Sequence, residues 1–394
     1  MFVAPNSKPI TPRVLSPKPQ IPETIGSTGV PGAAGRFGLV LILLLLISSS
    51  AHSQQPAEQF DDIASRAAGA RDQGNLPLAI ELYSQAEGLK PDWAEGWFYL
   101  GLLQYSSNAY PAAIEAFNHL LVLKPGAPPA LALRGLCEFE TGAFDDSLRD
   151  LEEAVAKGAA NEPRNEQIIR YHLAQLLARV GRFQDAVTQY QFFADRRIDD
   201  PDLLLGLGLA GMRNRMFPKD IPAEDRPIYE AAGRAGYTFL AGLTQEADSQ
   251  FNQLFERYPS AANLHYFYGA LLFSHAPDLA VGQFRAEVNL VPSNTENHAI
   301  LAYSLMLASR YSEALPEAEA ALAGNPGMEM SQLAMARSLA ETGEEKRATE
   351  LINHILKLDP SSREAHMALA VVYARTGRRE DAYRERAACL ALER

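Results

Sequence analysis

From about residue 60 onward, apolar positions recur in short blocks with helical spacing, and the blocks are separated by polar turns. The clearest block runs from Trp97 to Pro125 and reads WFYLGLLQYSSNAYPAAIEAFNHLLVLKP. Its apolar residues fall on one face of a first helix, lapse at Ser106-Ser107-Asn108, and resume on one face of a second helix. Pro125 closes the block, because proline cannot continue a helix and pushes the residue before it out of the helical region. The pattern repeats with a period of 34 residues: Pro326 and Pro360 end consecutive units. Ala302, Ala336 and Ala370 mark successive first helices, and Ala314, Ala348 and Ala382 the second ones. Small residues at these mid-helix positions let paired helices approach closely, and the large residues fill the remaining gap.

Taken in order, the units begin at 60–93, whose first helix is weak, followed by 94–127 and 128–160. A fourth follows the polar insert Asn161–Glu166. Leu203–Met212 reads as another first helix, but Arg213–Pro227 carries three prolines and alternating charges where a second helix is due. That segment is expected to be a loop or a short irregular helix. It fits either a hinge or specialised contact, or plain decay of a repeat. A new phase begins near Ile228, and the unit closing at Pro292 is one residue short, its turn tightened at His275-Ala276-Pro277.

The N-terminal stretch follows other rules. Residues 1–35 are rich in Pro, Ser, Thr and Gly, a composition that cannot bury a core, and are expected to be a disordered leader. Arg36 precedes the apolar run Phe37–Ile47, short for a bilayer span but suited to the apolar core of a signal peptide. Small residues in Ser48–Ser53 offer cleavage sites that would start the mature chain at His52 or Gln54. The alternative is an uncleaved anchor, with its basic side cytoplasmic. A translation start further downstream, near Val30, would account for the long leader. Under either reading the repeats are exported, to the periplasm or cell envelope. The expected organisation is thus leader 1–35, signal peptide or anchor 36–53, a repeat array 54–211, an irregular break 212–227 and a second array 228–394.

Charge and cysteine content narrow the classes. The net charge is −12, and residues 1–53 carry four basic residues against Glu23, so the remainder stands at −15. Such a body repels nucleic acid and anionic lipid and mildly favours a cationic partner. Cys137 and Cys389 lie in predicted helices of distant repeats, out of disulfide range, and read as small buried hydrophobes.

The pattern resembles the tetratricopeptide repeat, a 34-residue helix–turn–helix unit. Trp97, Leu100, Gly101, Ala113, Phe117, Leu120 and Pro125 carry the resemblance in the second unit. Leu301/Ala302, Met335/Ala336 and Leu369/Ala370 carry it in the last three, with Leu305, Leu339, Tyr373, Ala321 and Ile355. It covers roughly 60–210 and 228–394, about nine units. Departures are the missing aromatic of the first unit, the missing proline of the third and the broken fifth, which bears on continuity. The resemblance implies an all-α fold: a right-handed superhelical solenoid of antiparallel helix pairs.

Catalytic and metal chemistry are not expected. No phosphate loop, Ser–His–Asp spacing or His-Glu-x-x-His helix occurs. His265, His298 and His366 occupy one slot in three units, too far apart to meet at one ion, and read as packing residues. Paired acids such as Asp145-Asp146 and Asp199-Asp200 read as helix-start residues that complement the macrodipole. In arrays of the resembling family the concave face is lined by first-helix residues outside the packing slots. Here these are Phe98, Leu102, Tyr105, Leu136, Phe139, Tyr171 and Gln175, then Tyr266, Phe273, Tyr303, Arg337, Met367 and Val371. An aromatic stripe with scattered polar groups suits an extended peptide or amphipathic helix. Several of the same residues also fit as ordinary inter-repeat core, the usual place of Leu and Phe at helical spacing. The expected function is a non-catalytic protein–protein scaffold of the cell envelope, with no cofactor. An accessory or substrate-presenting subunit of an envelope polysaccharide or lipoprotein enzyme, and a carbohydrate-binding stripe, are the alternatives. The Lys/Asn carboxylate clamp of chaperone-binding members is not evident.

Overall fold

The structure, a computed structural model, describes residues 51–159 and 163–392. The expected leader, the apolar run and part of the polar insert lie outside the described residues. Among the described residues every regular element is helical, and the chain divides into two compact units between Leu177 and Ala178.

The first unit holds α1 (Ala51–Asp72), α2 (Leu76–Leu89), α3 (Ala94–Ser106), α4 (Tyr110–Leu123), α5 (Pro128–Thr141), α6 (Phe144–Ala156) and most of α7 (Pro163–Arg179). Helices pair as α1/α2, α3/α4 and α5/α6, and α2 and α4 also pack on the first helix of the next pair. Prolines at the start of α2, α4 and α5 cost no hydrogen bond, because the first amides of a helix have no partner within it. The turn inside each pair is a left-handed residue at Gly74, Asn108 and Gly142, 34 residues apart. The amide one position on then donates to the carbonyl five residues back, as Ala109 does to Gln104 and Ala143 to Glu138, at 2.9 Å each. This closure satisfies orphan carbonyls at the helix end and turns the chain back on itself.

Gly101 shows why one mid-helix residue must be small. A Cβ there would stand 2.7 Å from the ring of Phe117, which is fully buried. Gly135 faces Leu151 in the same way in the next pair. Cys137 and Cys389 are both free and buried.

The second unit contains α8 (Phe183–Asp195), α9 (Pro201–Gly211), α10 (Arg226–Leu240), α11 (Thr244–Arg257), α12 (Leu264–Leu272), α13 (Pro277–Leu290), α14 (Thr295–Leu307), α15 (Tyr311–Gly324), α16 (Glu329–Thr342), α17 (Glu345–Leu358), α18 (Arg363–Arg375) and α19 (Arg379–Ala391). Its last six helices repeat the first unit's geometry, with left-handed turns at Ser309, Gly343 and Gly377.

The segment expected to break the array does not leave α9 without a partner. α9 packs on α10, and α10 packs in turn on α11, so helix packing runs through the region. Glycines make this possible: a Cβ on Gly208 would overlap the carbonyl oxygen of Tyr229, and one on Gly233 that of Leu204. The two backbones therefore touch with no side chain between them. The connecting residues hold a short 3₁₀ turn, Pro218–Asp220, and fold down onto this crossing. Phe217 and Ile221 are buried, with Ile221 packed against Leu205, Leu209 and Tyr229. Burial of each such side chain contributes roughly 1.5–3 kcal/mol. Asn214 donates to the Tyr229 hydroxyl at 2.9 Å, which ties the segment's start to α10.

Candidate partner-binding surface

In the first unit the first-helix residues divide into two groups. Leu102 is 3% exposed and belongs to the core shared by α1–α5; Leu136 is buried as well. Tyr171 and Gln175 on α7 are each 9% exposed. These four are core residues and drop out of any groove. Phe98 and Tyr105 remain half-buried, packed edge-on to Tyr99 and tilted on Tyr110. Burial pushes the Tyr105 hydroxyl above its ordinary range, so it stays a neutral donor. Phe139, also half-buried, meets Phe144 and the ring of His172 edge-on, at 5.7 and 4.7 Å. His172 has its pKa lowered by burial, and its Nδ1 lies 2.8 Å from the Ile168 carbonyl. The neutral ring is therefore placed to donate there.

In the second unit the expected residues come together more fully. Tyr266 and Phe273 both flank the buried ring of Phe284, at centroid separations of 5.8 and 6.4 Å. Phe273 is then stacked on Tyr303 at 6.4 Å with an interplanar angle of 20°. All three outer rings are half-buried, so part of each remains available. Arg337 follows on α16, paired with Glu341 at 2.8 Å and reaching toward the Met367 carbonyl at 3.5 Å. Met367 itself is 39% exposed.

One member of this row, Arg213, escaped the register-based reading because it lies past the end of α9. It adopts a left-handed conformation, lays its guanidinium over Tyr266 at 4.7 Å and pairs with Glu296. A guanidinium over an aromatic face contributes about 0.5–1 kcal/mol at an exposed site and more when desolvated. The proline-rich composition of 213–227 marked the segment as special, but nothing in it pointed to Arg213.

The histidine slot is polar as well as packed. His298 Nδ1 lies 2.6 Å from Glu317 and its Nε2 lies 3.0 Å from the Pro292 carbonyl. His366 repeats the arrangement with Glu385 at 2.7 Å and the Pro360 carbonyl at 3.1 Å. In the intervening repeat Gln332 donates to the Pro326 carbonyl at 2.7 Å, and in the 94–127 repeat Trp97 Nε1 donates to the Pro91 carbonyl at 2.9 Å. His265 instead stacks on Phe255 and meets Gln283 at 2.7 Å. The slot thus latches a first helix to the proline that closes the unit before it. Each histidine is held between its own repeat and the one before it, so the three do not meet. Among the described residues no group of three or more His, Cys, Asp or Glu is placed to hold a metal.

Two family models described as tetratricopeptide repeat match this chain, one at residues 66–128 and 171–234 and the other at 305–371. The chain carries tetratricopeptide repeats. A TPR repeat-containing protein of Methanocaldococcus jannaschii is 26% identical over 133 residues, 34% of this chain. The match spans only 22% of that relative's length. Among solved structures, MamA of strain MSR-1 is 18% identical, covering 43% of this chain and 98% of its own, with a TM-score of 0.36. Yeast Tom70 is 15% identical, covering 85% of this chain and 92% of its own, with a TM-score of 0.28. The three matched stretches include Phe98, Tyr105, Tyr171, Arg213 and Arg337. Among the described residues no helix is long and apolar enough to cross a membrane.

Proposed function

We propose that this tetratricopeptide repeat protein is a non-catalytic scaffold of the cell envelope that holds an extended peptide or a partner helix along its first-helix face. The observation that carries the reading is the row Arg213–Tyr266–Phe273–Tyr303 in the second unit. Half-buried rings give a ligand apolar area at low entropic cost, and the flanking Arg213 and Arg337 supply orienting polar contacts. The surplus of acid outside residues 1–53 favours a partner with basic flanks. The apolar run Phe37–Ile47 and the small residues after it support export.

Crosslinking in an envelope fraction tests the surface, comparing wild type with Phe273→Ala/Tyr303→Ala. Loss of one or more crosslinked partners at unchanged melting temperature is expected, and an unaltered partner set would sink this placement. N-terminal peptide analysis of the fractionated protein tests export. A mature start at His52 or Gln54 is expected for the cleaved form and an intact segment in the membrane fraction for the anchored form. A wholly cytoplasmic pool would overturn both.

A further inference from the structure

The first unit carries a second recessed feature that shares no residue with the aromatic row and does not depend on the proposed function above. A cleft of about 410 Å³ opens between α2 and α4 over α3, with Glu87, Trp97, Gln104, Glu115 and His119 in its lining. Glu87 is 3% exposed, and neither of its carboxylate oxygens has a hydrogen-bond partner. Its carboxylate rests against the first turn of α3, where Gly96 leaves room that a Cβ would close. The Gln104 side-chain carbonyl oxygen is likewise buried and unpartnered. Trp97 has committed its indole N–H to the Pro91 carbonyl and is stacked on His119 at 4.2 Å, so it offers ring surface.

An unpartnered buried carboxylate is costly, and natural proteins rarely keep one without a use. The uncommitted buried atoms here are the Glu87 carboxyl oxygens and the Gln104 amide oxygen, all acceptors once Glu87 is ionised, beside an aromatic wall. That combination is complementary to a group that only donates, carries positive charge and tolerates a ring face. We infer that this cleft is a socket for a guanidinium or alkylammonium group, with Glu87 as the charge partner, Gln104 as a second acceptor and Trp97 as the wall. Phe98 and Tyr105 lie at other positions of α3 and line none of it. The acidic body draws such a cation in.

Burial, with Asp92 nearby, pushes the Glu87 carboxyl up to about 8, so at neutral pH the empty socket holds a protonated acid. The other titratable groups around it are Asp92 in the α2–α3 turn and Glu115 and His119 on α4. Docking a cation favours the carboxylate and releases the proton, so binding tightens as pH rises from 7 to 9.

The test titrates the full-length chain with acetyl-Ala-Arg-Ala-amide, with its citrulline counterpart and with agmatine. The readout is the emission of Trp93 and Trp97, the two tryptophans of the chain. A saturable change with the arginine peptide, at least tenfold weaker with citrulline, is expected. Glu87→Gln should weaken it at least tenfold while melting no lower than wild type at pH 9, since the neutral isostere removes a buried charge. Gln104→Met should weaken it less. Agmatine binding as tightly as the peptide would assign the socket to a small free cation. Tighter peptide binding would assign it to a protein side chain. Equal responses to arginine and citrulline, no response to either, or an undiminished Glu87→Gln titration would overturn the inference.

Discussion

The α9/α10 crossing and the last three repeats solve the same problem in opposite ways. In the last three repeats each helix pair is set by side chains: a small residue on one helix, a left-handed turn, and a His or Gln latch to the preceding proline. At α9/α10 the pairing is set by backbone, with Gly208 and Gly233 admitting the carbonyls of Tyr229 and Leu204. The regular device can be tuned, because a side chain that is pressed has somewhere to go. A pressed backbone carbonyl belongs to a helix and moves only if the whole helix moves. The difference explains how the array tolerates Arg213–Pro227: a crossing defined by glycine contact does not need the connection between its helices to be short.

The largest effect is therefore expected at Gly233→Ala, which forces α10 away from α9 and strips cover from Phe217 and Ile221. A loss on the order of 3 kcal/mol is expected by urea unfolding, at the upper end of overpacking costs. No trimming of a neighbouring side chain should restore it.

Gly269→Ala is the matched change in a regular repeat of the same unit. Its Cβ would lie 2.8 Å from the ring of Phe284, a side chain that can be shortened. A loss of about 2 kcal/mol is expected, with partial recovery in the double variant Gly269→Ala/Phe284→Leu. If the double variants at the two sites recovered equally, the distinction between backbone-set and side-chain-set crossings would be wrong.

The same contrast separates what was legible in the sequence from what was not. The 34-residue period, the pairing of helices and the small residues at Gly101, Ala302, Ala336 and Ala370 follow from apolar spacing, which local packing dictates. The partnership of α9 with α10 does not, because LLLGLGLAG reads as a hydrophobic helix whose glycines have no visible counterpart until Gly233 is known to face them. On the candidate surface, spacing placed Tyr266, Phe273 and Tyr303 on one side. It did not separate Phe98 from Leu102, because the burial of Leu102 depends on α5, which also packs against α3. The histidine slot was found by period. Its hydrogen bonds were hidden, since the acceptors are a backbone carbonyl and a glutamate 19 residues on.

That slot supplies the next measurement. Gln332→Met keeps the volume and removes the donor to the Pro326 carbonyl, and should cost about 1 kcal/mol. His366→Phe removes contacts to both Glu385 and Pro360 and should cost somewhat more, up to about 2 kcal/mol. The order of the two losses, read from urea midpoints, is the informative result. An equal loss would mean that only the proline latch matters and that the glutamate contact adds nothing.

The smallest effect is expected at the turn between α14 and α15, and it is a gain. Ser309 holds φ at 60° where the next two repeats place Gly343 and Gly377. A side chain in this region is penalised by roughly 1–2 kcal/mol, because Cβ crowds the following carbonyl. The Arg310 amide still closes the turn on the Leu305 carbonyl at 2.8 Å, so Ser309 is held there by the fold and not by its own preference. Ser309→Gly removes the crowding but widens the unfolded ensemble, which returns part of the gain. A net stabilisation of about 0.5 kcal/mol is expected from these opposing contributions, with no change in the urea slope. Gly343→Ser runs the comparison backwards: φ there is 92° and a loss is expected. If both substitutions were neutral, the left-handed residue would be a passive consequence of the helix ends. A gain at one position and a loss at the other would identify the turn as a source of the array's regular period.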